Sequence, residues 1–382
     1  MIERSRSCKQ LLLLVGSNPL PNFLTALVLR PESICLFFSP ETEPFKDYLQ
    51  KILKEKFAFN VAHRCIGDAT DPAKVRDAFT SIESDSHLNY TGGTKIMAAH
   101  ARMAFRDIGG TDSHASYLDD RKALLHYDDG YSIDMSRQDM DVRFDEVLGL
   151  HGIEAINISH EPGKQDIEAV AAAVLARPEL AAELYRIHRN DNGNLQAVSK
   201  AKQIPVDLTS YVRGLSIQHL PEQSWVKDTY RKWCKFLGGD WFEYWCGDLV
   251  RDMMQESEVF VGVDCQRANK RIFEIDVAFV RRYRLYVISC TTDTTMKHCK
   301  PKLFEVAMRA RQLGGDLARS AMVCLLHGSN DNGLFVEQLQ QDAADIWDAS
   351  NTPQVFGLDD ISEWVGLNGP ADVGSFKKWI ES

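Results

Sequence analysis

Apolar and polar positions alternate along this chain in two rhythms. Leu11 to Val15 is an unbroken apolar run closed by Gly16-Ser17-Asn18-Pro19, the length a buried strand needs. Arg4, Arg6 and Lys9 precede it. The run is nonetheless shorter than the roughly 7–15 apolar residues of a secretion signal. Ile34 to Phe38, Val61 to Ile66 and His87 to Tyr90 read as further strands. Between them Phe23, Leu24, Leu27 and Val28, then Phe45, Leu49, Ile52 and Leu53, repeat at helical spacing. Pro72 marks another helix start, and Ile96 to Phe105 is helical and apolar. Ala115 to Leu118 and Ala123 to Tyr127 add two strands. Strands alternating with helices predict an α/β, Rossmann-like, doubly wound domain over residues 1–150.

From 151 to 232 the pattern reads as a helical connecting segment, broken at Pro178 and at Asp191-Asn192-Gly193-Asn194. A third region spans 233–382. Trp241, Trp245, Leu249 and Met253 stripe one helix. Phe273, Ile275, Val277 and Phe279 share one strand face, while Glu274 and Asp276 share the other. Arg281-Arg282-Tyr283 turns the chain into a second strand, Leu285 to Thr292, as a hairpin. A helix and a strand, Ala321 to Leu326, complete a second α/β unit.

The 382 residues suffice for two or three such units. With 44% hydrophobic and 26% charged residues, collagen-like, coiled-coil and disordered classes are excluded. A formal charge of −10 argues against a wholly basic nucleic-acid binder. No run is long enough to cross a membrane, so a cytoplasmic protein without membrane partners is expected. The nine scattered cysteines form no CxxC pair and read as small buried hydrophobes, not as a disulfide framework or zinc site.

Two loops carry candidate binding chemistry. Gly16 to Asn22 follows the first strand, and Thr91-Gly92-Gly93-Thr94-Lys95 leads into a helix. Glycines let backbone N–H groups approach phosphate oxygens, a helix N-terminus adds partial positive charge, and Lys95 adds a full one. Neither a P-loop nor a GxGxxG fingerprint is present. The expected ligand is an anion carrying phosphate.

The string TGGTKIMAAHARMAF, with VGSNPLPN after the first strand and GDATDP at 67–72, resembles the CARF (CRISPR-associated Rossmann fold) domain. GGDWFEYW, FEIDVAFV, LYVISC and ARQLGGDLARSAMV continue a resemblance to the CARF–nuclease effectors of type III CRISPR systems, with a PD-(D/E)XK restriction-endonuclease-like C-terminal domain. The resemblance implies a homodimer binding cyclic oligoadenylate, commonly cyclic tetra-adenylate, as activator. Its contacts would come from Ser17, Asn18, Asn22, Gly67, Asp68, Thr91, Gly92, Gly93, Thr94 and Lys95. It also implies metal-dependent cleavage of DNA and/or RNA, with Glu243 and Asp276 as catalytic and metal-binding carboxylates for Mg²⁺ or Mn²⁺.

The chain departs from that pattern at one place. Where the nuclease class has Glu-x-Lys, this sequence has Ser289-Cys290-Thr291. Three replacements are conceivable: Glu274; one of Lys297, Lys300 and Lys302; or Glu305. The alternative is a sensor whose nuclease domain binds without cutting. Nine basic and three acidic residues between Arg281 and Arg319 leave +6 beside this site, the charge expected of a nucleic-acid face.

Overall fold

Alternate leucines of the first apolar run face opposite sides. Leu11 and Leu13 enter one core with Phe23 and Leu49, and Leu12 and Leu14 enter another with Phe37, Phe79, Met97 and Phe105. Both faces are covered, which is why the run shows no polar alternation. The strand is an interior strand of a seven-stranded sheet in a computed structural model. The strands are β1 (Gln10–Leu14), β2 (Ser33–Phe38), β3 (Asn60–Cys65), β4 (Ser86–Asn89), β5 (Ala115–Asp119), β6 (Leu124–Tyr127) and β7 (Ser132–Asp134). Their order is β3-β2-β1-β4-β5-β6-β7, parallel from β3 to β5 and antiparallel beyond. Helices α1 (Leu20–Leu29), α2 (Glu43–Phe57), α3 (Pro72–Asp77) and α4 (Lys95–Asp107) complete the Rossmann-like layers. The structure describes residues 8–57, 59–80, 83, 85–119, 122–158, 164–182, 184–185, 235–254, 258–267, 269–330, 333–347 and 351–381. The turn read at 191–194 and Cys234 lie outside them.

After α5 (Phe144–Leu150) the chain enters a second sheet at once. β8 (Ile153–Ile158) pairs antiparallel with β9 (Val259–Arg267), so the stretch read as a helical connection begins with a strand. A register shift between Ala155 and Asn157 breaks its two-residue rhythm, and Ile156 is exposed. That irregularity is what hid the strand in the sequence. α6 (Lys164–Ala176) follows and shares a core with α7 (Trp241–Met253) through Val170, Val174, Trp241 and Phe242. Further elements include β10 (Ile272–Arg281), β11 (Arg284–Thr291), α8 (Met296–Gly314), β12 (Arg319–Cys324) and β13 (Gln354–Phe356). The sheet order is β13-β12-β11-β10-β9-β8, with the expected β10–β11 hairpin at its centre.

One apolar core joins the two sheets' domains. Leu27, Phe144 and Val147 belong to the same cluster as Ala278, Leu285 and Val287, and the Phe144 and Phe260 rings stack at 4.7 Å. Seven of the eight described cysteines are buried and all eight are free thiols, as expected of small core residues. No helix among the described residues is long and apolar enough to cross a membrane.

Candidate functional site

Strand order reverses between β1 and β4, and open α/β sheets bind ligands at the carboxyl ends of such strands. The loops there are locked together by close backbone approach. A Cβ at Gly92 would lie 2.0 Å from the Leu14 carbonyl oxygen, and one at Gly16 would lie 2.9 Å from the Gly93 nitrogen. Gly93 itself sits at φ 77°, where a side chain is strained. The expectation that glycines bring main chain close is met by these contacts.

The polar side chains of the loops divide into two groups. Asn22 is buried and donates from Nδ2 to the Leu14 carbonyl at 2.9 Å. Thr91 Oγ1 accepts from the Leu118 N–H at 2.7 Å. Thr94 Oγ1 caps α4 by accepting from the Met97 N–H at 3.1 Å, and it donates to the Ala69 carbonyl at 3.2 Å. Asp68 accepts from the Thr70 hydroxyl and N–H, which hold its exposed carboxyl below the usual range. These four residues brace the site. Ser17, Gly67, Gly93 and Lys95 are exposed beside them, at the mouth of the loops.

Asn18 points elsewhere. Its Oδ1 accepts from the Leu20 N–H at 3.1 Å and lies 3.3 Å from His151 Nε2. Its amide nitrogen lies 2.0 Å from where a Cβ at Gly315 would stand. Burial, the larger influence, holds the His151 ring below its usual pKa despite the Val147 carbonyl. Asn18 therefore connects the loop to the C-terminal end of α8, a contact that no sequence pattern signals.

The second constellation lies on β10, β11 and α7. Asp276 Oδ2 accepts from Ser289 Oγ at 2.9 Å and from the Cys290 N–H at 2.8 Å. No other hydrogen bond to its carboxylate is present among the described residues, so Oδ1 is available. Burial pushes the Asp276 carboxyl up to about 6, against those two hydrogen bonds and the Lys302 charge. Burial and then Asp276, Asp240 and Glu274 push Glu243 well above the usual carboxylate range, while Lys235 opposes them. Lys235 bridges Asp240 at 3.4 Å and Glu274 at 3.5 Å. Asp240 and Lys235 have no signal in the sequence, because the bend at Gly238-Gly239 that precedes α7 carries no polar periodicity.

One of the three candidate lysines reaches the strand position of the missing Glu-x-Lys cation. Lys302 Nζ donates to Thr291 Oγ1 at 3.2 Å, reaching from α8 to the strand position where the lysine is lost. Three of the other conceivable replacements are paired: Lys300 with Asp342 at 2.7 Å, Glu305 with Arg309 at 3.6 Å and Glu274 with Lys235 at 3.5 Å. The +6 segment is not one face. Arg309 lies over the Phe273 ring and Arg311 over Trp347, while Arg281, Arg282 and Arg284 gather at the far end of the hairpin. Arg281 stands five residues along β10 from Asp276, about 17 Å at strand rise. The expected basic face beside the acidic pocket therefore reduces to Lys302 and Lys235.

Among the described residues no three His, Cys, Asp or Glu side chains are gathered as a ready metal cage. The donor chemistry nonetheless fits a hard divalent cation: oxygen ligands, surplus negative charge and one open carboxylate oxygen.

Residues 230–358 match the family model described as Card1-like, endonuclease domain. The chain has the fold of the CARF–nuclease effectors. It resembles Can2 from Sulfobacillus thermosulfidooxidans, solved in complex with cyclic tetra-adenylate, at TM-score 0.69 and 17% identity, covering 98% of this chain and 99% of that one. It resembles protein VC1899 from Vibrio cholerae at TM-score 0.67 and 14% identity, covering 97% and 98%. A type III CRISPR defence DNA nuclease activated by cyclic oligoadenylate matches at TM-score 0.52 and 19% identity, covering 88% of this chain and 51% of that one. No curated protein matches this chain. The acidic pocket, from Lys235 to Lys302, lies within the residues matched by the endonuclease model, and the glycine-locked loops lie in the Rossmann-like domain before them.

Proposed function

We propose that this protein is a type III CRISPR effector of the cell interior, a metal-dependent nuclease switched on by cyclic oligoadenylate. The observation that carries the nuclease reading is Lys302 Nζ seated on Thr291, which restores a cation beside Asp276. Glu243 and Asp276 would hold the ion, Mg²⁺ or Mn²⁺. When bound, such an ion lowers the pKa of a water and offsets charge on the scissile phosphate. Ser289 and the Cys290 N–H hold Asp276 by hydrogen bonds, and the Lys302 charge offsets its negative charge.

The activator site is the rim formed by Ser17, Gly67, Gly93 and Lys95, with the Gly92 and Gly93 main chain below it. Lys95 answers phosphate charge, and the first N–H groups of α4 add partial positive charge. A ring of identical nucleotides presents repeated faces, which a two-fold pair of loops matches. A homodimer is supported by the outer face of α4, where Ile96 and Met103 are 40% and 41% exposed, with Tyr117 nearby at 40%. Cyclic tetra-adenylate, the ligand with which Can2 was solved, is the ring to test first.

Gating uses Asn18. Movement of the Gly16–Asn18 loop on ligand binding would reach Gly315 directly, and the same helix, α8, carries Lys302 in its N-terminal half. The test is cleavage of plasmid and single-stranded DNA and RNA with Mn²⁺ or Mg²⁺, with and without cyclic tri-, tetra- and hexa-adenylate. Stimulation by one ring, lost in Lys95→Ala and in Asp276→Ala, is expected. Ring binding without cleavage under either metal would leave the non-cutting sensor and remove the nuclease.

A further inference from the structure

A cavity of about 420 Å³ lies in the seam between the two domains, remote from Lys95 and from Asp276. Lys122 and Ser136 of the first domain form one wall, and the β10–β11 turn, Arg281 to Arg284, forms the other. Charge in the lining is one-sided. The lining holds Lys122, Arg281, Arg282 and Arg284 against Asp134 and Glu381, and Lys122 also pairs with Asp119 at 3.8 Å. Asp134 is already engaged by Arg137 at 3.1 Å and by the Ser136 N–H and hydroxyl at 2.9 and 2.6 Å. Among the described residues no ion pair joins Arg281 or Arg282 to a carboxylate.

The turn is held in place. Arg282 occupies the left-handed region at φ 59°, and its Nη1 donates to the Ser136 carbonyl at 2.9 Å. The Arg284 guanidinium lies 5.6 Å from the centre of the buried Tyr283 ring. Arg319 stands opposite Tyr286 in the ladder behind the cavity, and burial together with the like charge of Arg284 lowers its pKa. Arg281 and Arg282, at a preformed cavity and joined to no carboxylate among the described residues, favour an anion that brings its own charge, and guanidinium forks suit phosphate oxygens.

We propose that the seam cavity is a second anion site, distinct from the Lys95 loops, which takes a phosphate group of a nucleotide between the two domains. Its volume is in the range of small-ligand sites and exceeds what a lone phosphate fills. The phosphate can belong to a free nucleotide or to a nucleic-acid strand. The proposal stands on the cavity and its arginines, independently of gating or cleavage.

Isothermal titration of the full-length chain with inorganic pyrophosphate, with 5′-AMP and with a short oligothymidylate tests it. Saturable binding of pyrophosphate or AMP is expected, weakening as salt rises. The Arg281→Gln/Arg282→Gln double variant should weaken it at least tenfold, and Lys122→Gln, on the opposite wall, should weaken it by a smaller factor. Arg309→Gln, outside both sites, should leave it unchanged. Saturation by oligothymidylate alone, lost in the double variant, would assign the phosphate to a strand. No saturation by any of the three, or a folded double variant that binds like wild type, overturns the proposal. Circular dichroism melts of each variant report folding.

Discussion

Around Lys95 the first domain spends its polar side chains on itself, whereas around Asp276 the second domain gathers more negative charge than its own cations balance. Asn22, Thr91 and Thr94 each hold a neighbouring main-chain group, which leaves one ammonium and a glycine-lined floor facing outward. Asp276, Asp240 and Glu274 instead add to the burial cost of ionising Glu243, opposed by Lys235, and Glu274 adds to that of ionising Asp276, opposed by Lys302. The loop site is finished in shape, which suits the proposed anion. The acidic pocket carries surplus negative charge, which suits the proposed cation. The difference matters for mutation. Shape errors should damage the first site, and charge changes the second.

The largest effect is expected from removing charge in the second domain. Asp276→Ala or Glu243→Ala should cut activator-stimulated cleavage by at least about 10³-fold, since residues that act as one unit each abolish most of its rate. The measurement is the initial rate of substrate cleavage at saturating activator. Activator affinity should be unchanged, because both carboxylates lie in the other domain.

Next comes a shape error in the first. Gly92→Ala places a methyl 2.0 Å from the Leu14 carbonyl and 3.1 Å from Asn22 Oδ1, so β1 and the loop must part. Activator affinity should fall by about 10²-fold, the scale of losing one good charged hydrogen-bond set. Fluorescence titration with labelled cyclic oligoadenylate reads it. Unstimulated cleavage should stay as it was, which separates this outcome from general unfolding.

Lys302→Met tests whether the borrowed cation works. Losing one preorganised electrostatic contact beside the reacting phosphate should lower the stimulated rate by about 10- to 10²-fold. Lys302→Arg should recover part of it if the charge is what matters. A rate equal to wild type in Lys302→Met would assign Lys302 to packing alone.

Much of this is legible in the sequence, for reasons that differ by region. Leu11 to Leu14 is a central strand buried on both faces, so an unbroken apolar run suffices to find it. Phe273 to Phe279 alternates because β10 has one apolar face and one that carries the acids, so strand periodicity alone puts Asp276 and Glu274 on the same side. Gly92 and Gly93 announce close main-chain approach. Three things stay hidden. Asn18 reads as a ligand-loop residue, and its contact with Gly315 joins positions almost three hundred residues apart, which no local spacing encodes. Lys302 is one of three lysines in six positions, and only the turn of α8 selects it. The positive segment from Arg281 to Arg319 looks continuous in sequence, but a strand pair and a helix distribute its charges over separate surfaces.

The smallest effect concerns stability, and its sign follows from the raised pKa of Asp276. In the unfolded chain this carboxyl titrates near its ordinary value of 3.8, and in the folded protein near about 6. The folded state thus binds the proton more tightly. Its contribution is fully present below about pH 4, and it is lost as pH rises from there through about 6. Above that point the charged carboxylate opposes folding by up to about 3 kcal/mol for a two-unit shift. An amide avoids the charge but keeps an oxygen for the Ser289 hydroxyl and the Cys290 N–H. Asp276→Asn should therefore stabilise the protein by about 1–2 kcal/mol at pH 8 once those weaker hydrogen bonds are discounted. The gain should vanish near pH 4, where wild type is already neutral at this position. Thermal melts of both proteins from pH 4 to 8, without added divalent cation, read the difference. Adding Mn²⁺ should narrow the gap at pH 8 by stabilising wild type alone, because a ligand that binds only the folded carboxylate shifts its stability by mass action. An Asp276→Asn protein no more stable than wild type at pH 8 would mean that Lys302 and the two hydrogen bonds already balance the pocket's charge. The contrast between the two sites would then be one of shape only.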